Sequence, residues 1–131
     1  MNVSQNKLPN DPLDGISIEQ LGVNLRNRSI SCKELTSIYF ERIEGLNDKL
    51  HSYIHTDKTN ALIWADAIDK LFFNGVDLGP LMGIPIAMKD ICSVSGMPTT
   101  NGSEIQTEDL TGPEGTLVKR LKSLGCVILG K

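Results

Sequence analysis

Residues 79–91 of this chain read GPLMGIPIAMKDI, an almost unbroken apolar run that ends abruptly in Lys89 and Asp90. A short apolar run between glycines and charges is typical of a buried strand, which we predict at about residues 84–91. Because side chains alternate between the faces of a strand, the run divides into Ile84, Ile86 and Met88 on one face and Pro85, Ala87 and Lys89 on the other. Lys89 thus follows two small side chains that leave room above the sheet, whereas Asp90 points to the opposite face.

A lysine at this place permits two interpretations. If the side chain is partly removed from water, the pKa of its amine falls from about 10.4 toward about 5–6 in deep sites, because burial disfavours the charged form. A neutral lysine can act as a general base or support a nucleophile. Alternatively, Lys89 lies at the mouth of the strand and extends its ammonium group into solvent. The residues alone favour the solvated lysine, since most lysines that end strands are solvated.

The rest of the chain predicts an α/β architecture. Ser17 and Ser31 each precede Gln or Glu by three residues, which is the capping-box pattern at the start of a helix, and Asp57 is a further N-cap. Gly75 and Gly125 are expected to end two helices. The predicted elements are helices at 17–27, 32–46, 58–73 and 115–124, strands at 84–91 and 126–130, and a short extended segment at 52–56. A strand, a helix and a second strand in succession indicate parallel pairing.

Composition argues against several classes of function. The net charge is −3, lysines and arginines are scattered and aromatic residues make up only 5%, so nothing indicates nucleic-acid binding. No apolar run approaches the roughly 18 residues that span a bilayer, and the polar N-terminus is not a secretory signal. Three widely spaced cysteines form no CxxC pair, which argues against a zinc site or a disulfide framework and favours reduced thiols in the cytoplasm. We therefore expect no nucleic-acid contact and no membrane contact.

Several other residues could carry chemistry, but packing explains each of them more simply. Cys92 is close to Lys89 in sequence, yet no histidine stands near it, so we interpret it as a small buried hydrophobe. His51 and His55 flank an extended segment without acidic or sulfur partners, which favours a surface role over a metal site. Asp90 is expected to hold loop amides rather than to act as an acid. The remaining assignments are structural: Thr99, Thr100 and Gly102 in a turn, Trp64 and Phe72 in the core, Leu117, Val118, Leu121 and Leu124 on the buried face of the last helix, and Lys119, Arg120 and Lys122 on its solvated face.

Three separate blocks of sequence carry a further signal, and they read GPLMGIPIAMKDI, GMPTTNGS and GTLVKRLKSLGCVILGK. Together they resemble the N-terminal part of the amidase signature family, and the upstream SCKELTSIYFERIEGLNDKLHSYI is similar to the early helices of that family. The resemblance covers about residues 17–131. It implies an α/β fold in which N-terminal helices precede the first strands and a crossover helix of one large mixed sheet. It also implies a serine hydrolase with a Ser–cis-Ser–Lys triad, without metal or organic cofactor, and the lysine of that triad maps onto Lys89.

The resemblance also implies what the chain does and what it lacks. The family cleaves carboxamide C–N bonds through an acyl-serine intermediate, and it includes hydrolases and the A subunit of tRNA-dependent amidotransferases. Its two serines follow the ILGK strand in a segment that these residues do not include, so the chain alone is expected to be inactive. We expect a flexible lead-in at 1–16 and an incomplete single domain at 17–131. The full-length protein would act on a small-molecule or acyl amide, as a homodimer or within an amidotransferase complex. The alternative is a truncated, non-catalytic relative that acts as an interaction module or is a pseudogene product.

Overall fold

The structure, a computed structural model, describes residues 8–105, 107 and 111–131 and has an α/β architecture. In chain order its elements are α1 (Ile18–Arg26), α2 (Cys32–Leu50), α3 (Lys58–Phe73), β1 (Pro85–Ala87), α4 (Thr116–Ser123) and β2 (Val127–Gly130). Three helices thus precede two strands, and α4 crosses over from the first strand to the second. This order confirms the predicted fold class.

Side-chain caps begin the first three helices where the sequence predicted them. The hydroxyl of Ser17 accepts a hydrogen bond from the Gln20 amide at 3.1 Å, and that of Ser31 accepts one from the Glu34 amide at 3.0 Å. The carboxylate of Asp57 caps α3 in the same way. Each cap satisfies a backbone N–H that lacks a partner within its helix. The predicted bounds of α3 are confirmed, and those of α1 and α4 differ by one residue at each end.

Helix α2 is longer than predicted, since the residues from 47 to 50 are also helical. The prediction stopped the helix at residue 46, whereas it continues to Leu50. The side-chain amide of Asn47 makes two hydrogen bonds with the loop after the helix. It donates to the backbone oxygen of Tyr53 at 2.9 Å and accepts the backbone N–H of Tyr53 at 2.8 Å. His51 then ends the helix in the left-handed conformation, with a φ of 49°.

The two strands pair in parallel, and β2 is flanked on both of its edges. Pairing begins at Pro85 and Val127, but the register shifts between Ile86 and Ala87. On its other edge, β2 pairs antiparallel with the extended segment at 54–57. This pairing agrees with the extended segment predicted near the same place.

Strand β1 ends at Ala87, several residues earlier than predicted. After the shift in register, the amide of Met88 still donates to the Gly130 oxygen at 2.9 Å. The chain then turns, because the amide of Cys92 donates to the Lys89 oxygen at 2.9 Å. Lys89 therefore lies in a turn that follows the strand.

Two clusters of buried apolar side chains hold the helices to the sheet. The larger cluster joins α1, α2 and α3 to the strands, and its buried members are Leu21, Leu25, Cys32, Leu35, Phe40, Ala61, Ala65, Ile68, Met82, Ile84, Val127 and Leu129. The smaller cluster includes α4, and its buried members are Met88, Val94, Val118 and Ile128. Because Val127 and Leu129 belong to the first cluster and Ile128 to the second, β2 is buried on both faces, as is usual for parallel strands.

Three residues that were predicted to lie in the core are exposed, and one of them is Leu124, at the C-cap of α4, which is 36% exposed. Leu117 is 59% exposed because α4 presents Val118 to the strands, which places Leu117 at the edge of the contact. Trp64 is 38% exposed, and its indole N–H donates to the backbone oxygen of Cys126 at 3.0 Å. An indole N–H needs a hydrogen-bond acceptor, and the bond to Cys126 holds the Trp64 ring in a position that leaves part of it in solvent. Phe72, in contrast, packs against the core as predicted.

Residues 8–16 are the described part of the predicted lead-in, and they contact α2. The guanidinium of Arg42 donates to the Pro9 oxygen at 2.7 Å, and the hydroxyl of Tyr39 donates to the Asp11 carboxylate at 3.1 Å. Residues 1–7 lie outside the described residues. The flexibility predicted for 1–16 and the domain boundary after it therefore stay predictions.

Candidate functional site

Lys89, the candidate general base, lies just beyond the carboxyl end of β1 in an exposed turn. Met88 is buried and Lys89 is exposed, as predicted, but the single inward face predicted for Ile84, Ile86 and Met88 is wrong. Ile84 packs in the larger cluster and Met88 in the smaller one, because the register shifts between Ile86 and Ala87. The turn carries Lys89 past the end of the sheet, so the described residues do not provide the sheltered surroundings that a neutral amine requires. The role of Lys89 as a base stays a prediction.

Asp90 holds the loop that follows this turn, as predicted. Its two carboxylate oxygens accept the backbone N–H of Thr100 at 3.2 and 3.1 Å, and Oδ2 also accepts the Thr100 hydroxyl. Its backbone oxygen accepts the Asn101 N–H at 3.1 Å. Burial disfavours the charged form, but hydrogen bonds from Thr100 and Lys131 outweigh that effect and lower the pKa of Asp90 to about 2. At neutral pH Asp90 is therefore a charged hydrogen-bond acceptor and not a general acid.

The buried lysine of this site is Lys131, which follows β2. Its side chain is 0% exposed, and its ammonium nitrogen lies 3.1 Å from Oδ1 of Asp90, whose side chain is 10% exposed. The same nitrogen donates to the backbone oxygen of Pro98 at 2.7 Å and to the hydroxyl of Thr99 at 2.6 Å. All three ammonium protons thus have acceptors, as a buried charge requires.

Sequence reasoning missed Lys131, although a signal for it was present. CVILGK, like IAMKD, places a lysine directly after a short apolar run. The carboxyl ends of parallel strands meet at one edge of a sheet, so Lys89, Asp90 and Lys131 are expected to lie near one another. The pattern could not show which lysine is covered. The structure answers this, because β2 is buried throughout whereas β1 becomes exposed at Ala87.

All three cysteines are free thiols, and two of them are buried. Burial, together with the negative charge of Asp69, raises the pKa of the Cys32 thiol to about 12, and burial also raises the pKa of Cys126. Cys92 is partly buried and packs against the smaller core cluster. This contact supports a packing role for Cys92 rather than a nucleophilic one.

We expect iodoacetamide at pH 8 to modify Cys92 before the other two cysteines. A thiol with a pKa of about 12 is deprotonated in only about one molecule in 10⁴ at that pH, so Cys32 should resist alkylation. Mass spectrometry of peptides after a timed reaction should find alkylated Cys92 beside intact Cys32 and Cys126. The same reaction in urea is the control, in which all three thiols should react. Rapid modification of Cys32 in the native protein would contradict its burial.

The described residues contain neither a metal cluster nor a membrane-spanning helix. His51 ends α2, whereas His55 belongs to the segment that pairs with β2. Within 8–105, 107 and 111–131, no group of three or more His, Cys, Asp or Glu side chains is arranged to hold a metal ion. None of the helices in these ranges is both long and apolar enough to cross a membrane.

A cleft of about 500 Å³ lies between α3, α4 and the loop at 94–97. Its apolar wall includes Trp64, Met97 and Ile128. None of the three charged residues of the candidate site lines it. The cleft and the charged site are therefore separate features of the surface.

Solved structures of amidases share this arrangement of helices and parallel strands. The native peptide amidase from Stenotrophomonas maltophilia superposes with a TM-score of 0.85 at 29% sequence identity, over 93% of this chain and 25% of that protein. An amidase family protein from Bacillus anthracis gives a TM-score of 0.78 at 29% identity, over 89% of this chain and 24% of that protein. The fold is thus that of one part of an amidase.

A sequence profile of the amidase family matches residues 34–131. The chain belongs to the amidase family, as its sequence blocks implied. Among curated relatives, the A subunit of the glutamyl-tRNA(Gln) amidotransferase of Streptomyces coelicolor is 35% identical over 116 residues, and that of Salinispora tropica is 38% identical over 113 residues. These alignments cover 88% and 86% of this chain but only 23% of each relative. The chain thus spans about a quarter of the length of the relatives that it matches.

Proposed function

We propose that this chain supplies the catalytic lysine of an amidase-signature serine hydrolase or amidotransferase subunit, with Lys89 as the base of a Ser–cis-Ser–Lys triad. The observation that carries the proposal is the position of Lys89 in the GIPIAMKD block, directly after β1, in a chain of the amidase family. The carboxyl ends of parallel strands are where α/β proteins place their binding and catalytic groups, which supports this position. In this proposal neither serine of the triad is among these 131 residues, and we expect residues 1–131 alone not to hydrolyse amides.

In the proposed reaction, the neutral amine of Lys89 accepts the proton of the bridging serine, which takes the proton of the nucleophilic serine. The oxygen of the nucleophile adds to the carboxamide carbon, and hydrogen-bond donors stabilise the negative charge on the carbonyl oxygen. The C–N bond then breaks, the leaving nitrogen receives the proton held by Lys89 through the bridging serine, and an acyl-serine remains. Water attacks this ester by the same proton transfers and releases the carboxylate.

The exposure of Lys89 sets a requirement on the rest of the protein. A lysine in water is protonated at neutral pH, so a lysine that acts as a base must be sheltered or have its charge disfavoured. We propose that the segment carrying the serines covers the Lys89 turn and excludes water from it. Ala87, which is small and exposed two residues before Lys89, leaves room for that segment to approach.

The substrate class that fits this chemistry is a carboxamide, either a small molecule or an acyl amide. The relatives named as A subunits of glutamyl-tRNA(Gln) amidotransferases support membership of an amidotransferase complex, whereas the structure of a peptide amidase supports a hydrolase, for which we propose a homodimer. The three free thiols support a reducing, cytoplasmic location. Lys89 has the same chemical role in both cases.

A second candidate is an interaction module without catalysis, which the exposed apolar side chains favour. Ile54, Ile63 and Phe73 are all exposed, and apolar surface of this kind attracts partners. The coding sequence beyond the codon for Lys131 separates the two candidates. A continuing frame with a Gly-Gly-Ser-Ser-type loop supports the enzyme, and a stop codon supports the module.

The proposal predicts that the full-length protein hydrolyses amides and that residues 1–131 alone do not, because these residues hold the base without its nucleophile. Release of ammonia from glutamine and from simple carboxamides measures both activities. Serine-dependent hydrolysis by the 131-residue chain would refute the assignment. An inactive full-length protein that nevertheless contains the serine loop would count against the triad.

A further inference from the structure

Two buried charges, that of Asp90 directly after Lys89 and that of Lys131 at the end of β2, form one unit. The ammonium group of Lys131 pairs with the carboxylate of Asp90, and both side chains are almost entirely removed from solvent. Each charged group also has neutral partners, namely Pro98 and Thr99 for the ammonium group and Thr100 for the carboxylate. A buried ion pair with all its hydrogen bonds made holds its geometry, and removal of one partner leaves an uncompensated charge.

The backbone on both sides of Lys89 is fastened to the end of β2, by a backbone hydrogen bond before Lys89 and by the ion pair after it. Before Lys89, the amide of Met88 donates to the Gly130 oxygen at 2.9 Å. After Lys89, the side chain of Asp90 is tied to Lys131, the residue that follows Gly130. The backbone of Lys89 is therefore held from two directions, while its side chain stays free to reach outward.

The pair also determines which charge lies next to Lys89. A free carboxylate beside a lysine stabilises the ammonium form and makes the amine a poorer base. The carboxylate of Asp90, the residue that follows Lys89, is paired with Lys131 and Thr100 and is therefore not a free negative charge. The other ionisable side chains on the described parts of this turn, its loop and the segment paired with β2 are His55, Asp57, Cys92 and Glu104.

We propose that Asp90 and Lys131 are positioning residues for Lys89, which hold its turn in place and neutralise the carboxylate charge of the adjoining residue. The proposal rests on the proposed function, in which Lys89 must give up its proton. It adds two residues on which that base depends, one of them from the end of the neighbouring strand.

Titration of Lys89 by NMR tests this proposal in the full-length protein, with lysine labelled by ¹³C at Cε. The signal of Lys89 is assigned by its loss in Lys89→Gln. Lys131→Met leaves a net negative charge beside Lys89 and should raise its pKa, whereas Asp90→Asn leaves a net positive charge and should lower it. Each shift should be on the order of half to one pH unit. The double variant Asp90→Asn/Lys131→Met should return the pKa of Lys89 close to its wild-type value.

The opposite signs of the two shifts distinguish this role from a merely structural one. Asp66→Asn is the matched control, because Asp66 is also ion-paired but lies on the surface of α3, away from this site. If folded Lys131→Met and Asp90→Asn proteins both keep the wild-type pKa of Lys89, or shift it in the same direction, the proposal is overturned. Should Lys131→Met fail to fold, Lys131→Gln retains donors toward Pro98 and Thr99 and carries the same expectation.

Kinetics provide the second readout and separate this proposal from the proposed function. Both single variants should lower kcat by about tenfold or more and change KM by less than about threefold, because a displaced base acts mainly on the chemical step. If Lys89→Met abolishes activity while Asp90→Asn and Lys131→Met keep the wild-type kcat, the proposed function stands and the positioning role fails. If Lys89→Met stays active, the proposed function fails, and the NMR shifts still decide whether the ion pair controls Lys89.

Discussion

Replacement of Lys89 by methionine is expected to lower kcat for amide hydrolysis by the full-length protein about 10²- to 10⁴-fold, because the nucleophile loses its base. Methionine is close to lysine in length and keeps an apolar stem, so the turn after β1 should fold unchanged. KM should change by less than about threefold, since the amine acts in the transition state rather than in substrate binding. Initial-rate kinetics on a carboxamide substrate measure both constants.

Lys119→Met is the matched control for this experiment. Lys119 is exposed on α4 and lies outside the charged site, so its replacement should leave kcat at the wild-type value. Turnover by Lys89→Met within about twofold of wild type would overturn the role of Lys89 as the base. A similar loss in both variants would mean that the effect is not specific to Lys89.

Gly130→Ala is expected to lower the free energy of unfolding by about 3 kcal/mol or more, because overpacking against a rigid neighbour is destabilising. A Cβ at this position would collide with the backbone oxygen of His55 and would lie 2.9 Å from Cα of Thr56. Both atoms belong to the segment that pairs with β2, so neither can move away without breaking that pairing. Urea denaturation followed by the fluorescence of Trp64, the single tryptophan of the chain, measures the loss.

Gly112→Ala is the control for this variant. A Cβ at Gly112 meets nothing within 4 Å, and its φ lies outside the left-handed region, so stability should change by less than about 0.5 kcal/mol. A Gly130→Ala protein as stable as wild type would show that the backbone at 54–57 does not press against β2 as closely as described.

The helices could be predicted from the sequence because the interactions that begin and end them lie within a few residues. Asp57 and Gly75 bracket α3, and both adopt the roles that their residue types favour. The end of α2 was predicted wrongly because the amide of Asn47 bonds to Tyr53 across the following loop. The composition of that stretch suggests a helix end, and only the tertiary contact shows why the helix continues.

The candidate site was predicted in part, because alternation along a strand is local and burial is not. Alternation placed Met88 inside and Lys89 outside, but it put Met88 on the same face as Ile84, because the register shift between Ile86 and Ala87 leaves no sign in the sequence. It could not show that Lys131 would be the covered lysine, because the cover comes from the segment at 54–57 and the loop at 98–100. These parts of the chain are distant in sequence, and no spacing pattern records their contacts. The bond of Trp64 to Cys126, which keeps that ring at the surface, escaped prediction for the same reason.

The placement of β2 between β1 and the segment at 54–57 affects the order in which the chain can fold. Helices α2 and α3 are neighbours in sequence and can dock as soon as both have been made, with little loss of chain entropy. Strand β2 must instead close two long loops before its backbone hydrogen bonds form. During synthesis the apolar side of the helical pair therefore stays uncovered until β2 has left the ribosome. In that interval the exposed apolar surface of the nascent chain is available for a chaperone to bind.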